Sequence, residues 1–97
     1  MIEAAIGVVF SVEERDTISR YFAQHPVAPQ RLPPGIAKNL ARGKPLPPGI
    51  AKKALPQGLA VAIPNRPGYE CVMAGSDVLL VEVATQVVTD VLRNVVR

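Results

Sequence analysis

The chain has 97 residues, enough for one small domain. Nearly half of them are hydrophobic (48%), but with two Tyr, two Phe and no Trp any core must be mostly aliphatic. Net charge is +3, and its placement excludes an evenly charged surface: all eight acids lie in the flanks, and the middle is purely basic.

The opening stretch, Ala4 to Phe10, is apolar and too short to span a bilayer. It reads as a short strand or as the lead into a helix. No signal peptide is visible, so the protein is either cytoplasmic or begins after a removed leader. Ser11 then opens a capping box with Glu14, in which hydroxyl and carboxylate each satisfy the other residue's amide. Glu13, Glu14 and Asp16 favour the positive end of the helix dipole. Val12, Ile18, Tyr21 and Phe22 supply an apolar stripe at helical spacing. Pro26 ends the helix, because the residue before a proline avoids the α region. The predicted helix runs over 12–24, or 11–25 with its caps.

Residues 26–58 hold most of the ten prolines and contain the heptapeptide LPPGIAK twice, at 32–38 and 46–52. Proline suits the first position of a helix, where its missing N–H costs nothing. Each copy therefore reads as the start of a short helix: Ile36 to Arg42 capped by Gly43, and Ile50 to Leu55 stopped by Pro56. Ile36, Leu40, Ile50 and Leu55 are expected to face inward. Lys38, Arg42, Lys52 and Lys53 are expected to face out. Two PxxP strings offer a polyproline-ligand alternative, but the glycine after each Pro-Pro interrupts an extended helix.

The last third reads as strands. Leu59 to Ile63 is a short apolar run, and Pro67-Gly68 marks a turn. Tyr69 to Ala74 is a predicted strand with Tyr69, Cys71 and Met73 on one face. Gly75-Ser76-Asp77 turns the chain, Val78 to Val83 is apolar on both faces, and Val87 to Leu92 closes a three-stranded meander. A strand apolar on both sides needs cover on both sides. The helix covers one face; the repeat segment or a second subunit must cover the other. The expected fold is α+β, one domain over 1–97, with the helix at 11–25, the LPPG segment at 26–58 and the β-meander at 59–97. Lightly charged strand edges at Tyr69–Ala74 and Val87–Leu92 favour a two-fold homodimer.

Few residues can do chemistry. The single Cys71 excludes an internal disulfide, and His25, the only histidine, has no metal-binding spacing around it. Ser11, Ser19 and Ser76 lack a nucleophile-elbow context. Asp77 is read as shaping its own turn. Phosphate-cradling and dinucleotide patterns are absent. The chain is therefore read as non-enzymatic, with no cofactor and no metal.

Between Asp16 and Glu70 no acid occurs. The candidate partner-binding residues are Arg31, Lys38, Arg42, Lys44, Lys52 and Lys53, all in this basic stretch. They fit an acidic protein face or an anionic membrane surface, or serve only as a solvated face. A small basic nucleic-acid-binding protein is the alternative. It is disfavoured because no aromatic residue stands between Phe22 and Tyr69 to stack a base.

The order of these pieces carries a resemblance. A Phe10-led capped helix ending in Tyr21-Phe22 is followed by the doubled LPPG unit of Leu32–Lys38 and Leu46–Lys52. Then come Pro67–Glu70 (PGYE), Gly75–Val81 and Thr85–Val91. This resembles the CigR-type family of anti-virulence regulators and, more distantly, the RcnB-like periplasmic proteins of nickel and cobalt homeostasis. The resemblance spans roughly residues 10–92. It implies a non-enzymatic envelope protein, periplasmic or inner-membrane-associated if a leader was removed. It also implies that the protein works by binding a protein partner, in the best-known case a membrane-embedded virulence factor. An RcnB-like role in metal homeostasis is a further alternative, for which one histidine and one cysteine offer a metal little to hold.

Overall fold

The computed structural model describes residues 8–28, 40–46, 52–64 and 66–96. In chain order the elements are α1 (Val12–Gln24), β1 (Lys53–Ala54), α2 (Gln57–Ala60), β2 (Tyr69–Ala74), β3 (Asp77–Glu82) and β4 (Val87–Leu92). The four strands form one antiparallel sheet in sequential order, so the fold is α+β. The capping box at Ser11 and Glu14 is formed from both sides. At the other end of α1 the His25 amide bonds the Tyr21 carbonyl at 2.7 Å, and Pro26 follows.

Glu14, Ile18 and Phe22 form the buried face of α1, a strict i, i+4, i+8 row. Val12 was expected on this stripe but is 78% exposed. Six positions before Ile18 it lies about 120° around the helix from the row.

The sheet carries a core on each face. On the helix side Phe10, Ile18, Phe22 and Leu59 pack with Val78, Leu80, Leu92 and Val96. On the opposite side Leu40 packs with Val72, Ala74, Leu79, Val81 and Val88, joined by Leu46 and Val91. Alternation along β3 feeds both clusters, as its two-sided apolar pattern requires. Tyr69, Cys71 and Met73 share the helix face.

The strand count differs from expectation. Lys53 and Ala54 were expected at the end of a short helix. They instead pair with Met73 and Val72 as a fourth strand on the edge of β2. The apolar run from Leu59 begins within α2, with Leu59 buried. Of the first expected repeat helix, Leu40, Ala41 and Arg42 are described and are not helical; Gly43 adopts the left-handed φ of 82°. The Gly43 amide bonds the Val88 carbonyl, the Val88 amide bonds the Lys44 carbonyl, and the Leu46 amide bonds the Gln86 carbonyl. Residues 43–46 thus run along the free edge of β4, with a bridge between Pro45 and Val87. Leu32, Ile36 and Ile50 lie outside the described residues.

These contacts bear on the expected second subunit. Its motives were a bare sheet face and two open edges. Leu40 and Leu46 lie on that face, β1 on one edge and residues 43–46 on the other.

Candidate functional site: a divided basic surface and a buried charge network

The fold separates the four described residues of the six expected to meet a partner. Lys52 and Lys53 are neighbours in sequence but serve opposite faces. Lys53 is in register with Met73 and lies beside Val27 on the helix side. The Lys52 ammonium donates to Glu70 at 3.1 Å and to Gln86 at 3.3 Å. Glu70 is in register with Val81, which places this contact on the repeat side. Arg42 donates from Nε to the Thr89 carbonyl at 3.2 Å, and Lys44 follows at the β4 edge. Arg42, Lys44, Lys52 and Lys53 are all exposed, as expected. Arg31 and Lys38 lie outside the described residues. One continuous basic patch is therefore not what the four described positions make. Three gather around the repeat side, and one stands on the other face.

A second set of charges was not anticipated. Glu14 and Asp90 are buried, 5% and 2% exposed, and each is gripped by an arginine and a backbone amide. Asp90 accepts from the Phe10 amide at 2.8 Å and from Arg15 at 3.0 Å. Glu14 accepts from the Ser11 amide at 2.7 Å and from the Arg66 guanidinium. The same arginines reach lead-in carbonyls: Arg66 bonds that of Val9 and Arg15 Nε that of Phe10. Burial pushes the Glu14 pKa up. The Ser11 amide, the Arg66 guanidinium and the Ser11 hydroxyl more than offset this and hold the carboxyl below its ordinary value.

A β-bulge aims Asp90. Leu80 pairs with Asp90 and Val81 with Val88, leaving Thr89 as the extra residue. The Thr89 hydroxyl bonds the Leu80 carbonyl at 3.2 Å. Without the bulge Asp90 would fall on the repeat side, away from Phe10 and Arg15. A strand pattern with period two gives no sign of this shift, so the role of Asp90 was not legible in the sequence. Asp77 does bond backbone, but not in its own turn: it accepts from the Asn94 amide at 2.9 Å.

On the helix side a cleft of about 390 Å³ opens between α2 and β2, with Leu55, Ile63, Arg66, Tyr69 and Cys71 in its lining. Burial pushes the Cys71 thiol up to about 11; Glu14 and Glu70 add to the shift and Arg66 opposes it. The thiol is protonated at neutral pH and a poor nucleophile there. His25 is exposed, its ring 4.5 Å from that of Tyr21. Among the described residues no three His, Cys, Asp or Glu converge to hold a metal ion, and no helix is long and apolar enough to cross a membrane.

This fold has a solved counterpart. The C-terminal domain of inner membrane protein CigR from Salmonella enterica is 43% identical. The match covers 88% of this chain and 92% of that chain, with a TM-score of 0.76. The chain belongs to the CigR family. No family model matches the chain, and no curated protein does. Membership agrees with the residue order of capped helix, doubled LPPG, PGYE and valine-rich hairpin.

Proposed function

We propose that this chain is a non-enzymatic interaction module of the bacterial envelope. It binds a protein partner in or at the inner membrane and acts as a negative regulator of a virulence factor there. The observation that supports this is the 43% identity to a domain of an inner membrane protein. The exposed cations Arg42 and Lys44 at the repeat side, and Lys53 on the helix side, give the module two places to meet an acidic partner. A homodimer is not needed to close the sheet, given the cover described above. Light scattering distinguishes a 10.4 kDa monomer from a pair.

Photo-crosslinking in cells tests the proposal. A crosslinking residue placed at Lys44 or Lys53 is expected to give adducts with an inner-membrane protein, and charge reversal at Arg42 is expected to weaken the Lys44 adduct. A chain that fractionates with the cytoplasm and crosslinks to no membrane protein would contradict it. Retention of nucleic acid in a gel shift at about 50 mM salt, lost steeply as salt rises, would favour the nucleic-acid alternative instead.

A further inference from the structure

We propose that the lead-in to α1, residues 9–11, is held by a clasp that acid releases at Glu14, with Asp90 completing its grip. The device goes beyond the partner-binding reading and does not depend on it. Its basis is the convergence of four side chains, two of them from distant parts of the chain, on three consecutive residues. The Phe10 amide is held by Asp90 and the Ser11 amide by Glu14. The Val9 carbonyl is held by Arg66 and the Phe10 carbonyl by Arg15. Asp90 comes from β4, Arg66 from the loop before β2, and Glu14 and Arg15 from α1.

The groups around each acid decide how the clasp responds to protons. Glu14 faces Arg66, the Ser11 amide and hydroxyl, and Cys71 on β2, with Glu70 next to the thiol. Asp90 faces Arg15 and the Phe10 amide, and its second oxygen accepts from the Val91 amide at 2.9 Å. Near neutral pH two carboxylates balance two guanidinium groups. Protonating Glu14 removes the balance, weakens its charge-assisted bonds and leaves Arg66 without a counter-charge. Arg15 and Arg66 are 47% and 32% exposed at their side chains, so both can turn to water. Glu14 would then hold the Ser11 amide only as a neutral acceptor.

Release of residues 9–11 need not unfold the domain. The sheet keeps its ladder, and the helix-side core keeps Ile18, Phe22, Leu59, Val78 and Leu80. The lead-in contributes Phe10, which is 2% exposed and would be uncovered. A folded-state carboxyl pKa below its unfolded value means the grip is intact above the unfolded value, about 4.3 for a glutamate. The grip is lost as pH falls through the folded value.

Hydrogen exchange followed by NMR on residues 1–97 tests the clasp. Between pH 7 and pH 3, with intrinsic rates corrected, the Phe10 and Ser11 amides are expected to lose protection. The loss should set in below about pH 4.3 and approach tenfold per pH unit for the Glu14 proton, with Leu80 and Val81 still protected. Glu14→Gln and Asp90→Asn are expected to raise exchange at Phe10 and Ser11 already at pH 7, and Glu14→Gln to flatten its pH dependence. The proposal is overturned if Phe10 and Ser11 exchange in step with Leu80 and Val81 at every pH, or stay protected down to pH 3. Should either variant fail to fold, the pH series on the unsubstituted chain decides alone.

Discussion

The two faces of the sheet are closed by different means. The helix side is covered by a regular element: α1 buries Ile18 and Phe22 on one row, and Leu59 of α2 adds to them. At its described positions the repeat side is covered by irregular chain, in which Leu40 is fully buried and Leu46 half-buried. Backbone bonds to Val88 and Gln86 hold that chain, as does Arg93, which donates to the Leu40 carbonyl. At Leu40 and Leu46 the sheet face is therefore buried by chain that is neither helix nor sheet. A leucine works as cover when its backbone is tied to the strand edge beside it, because the ties supply the order that a helix would otherwise provide.

The largest expected effect lies on the helix side. Phe22→Ala should destabilise by about 3–5 kcal/mol in a urea melt, the range for emptying a buried aromatic site. A loss below about 1 kcal/mol would mean that α1 is not the main cover. A smaller effect concerns pH. The folded Cys71 thiol titrates at about 11, above its unfolded value of about 8.5. Its contribution is thus complete below the unfolded value and is lost as pH rises toward 11. The drop in urea midpoint between pH 8 and pH 10.5 should be smaller in Cys71→Ala than in the unsubstituted protein. Equal drops would place the thiol in water and the helix-side cleft open. The smallest effect is at the surface: Lys44→Ala should shift stability by no more than about 0.5 kcal/mol, since its side chain is exposed. A larger loss would make Lys44 part of the repeat-side cover.

Local signals in the sequence located α1, β2 and β4 to the residue and β3 within one. The capping box, Pro26, the Pro67-Gly68 turn and the valine runs each act over a few positions. Cover by Leu40 was anticipated, though as part of a helix. β1 escaped notice because two residues carry no period, and Lys-Ala suits a helix as well as an edge. The charge network escaped for a different reason. Glu14 was visible as a cap, but Arg66 lies 52 residues away and Asp90 reaches Arg15 across 75. A bulge set by Thr89 makes the second meeting, and pairing over such separations leaves no local pattern. The basic stretch was plain in sequence, yet the face each lysine serves depends on strand register, which split Lys52 from Lys53.

The claim that irregular chain at Leu40 covers the second face is tested most directly by Leu40→Ala in an equilibrium urea melt. The expected result is a loss of about 2–5 kcal/mol, with an unchanged dependence on urea concentration. A loss within about 0.5 kcal/mol would show that Leu40 is not buried in solution and that the face is closed some other way.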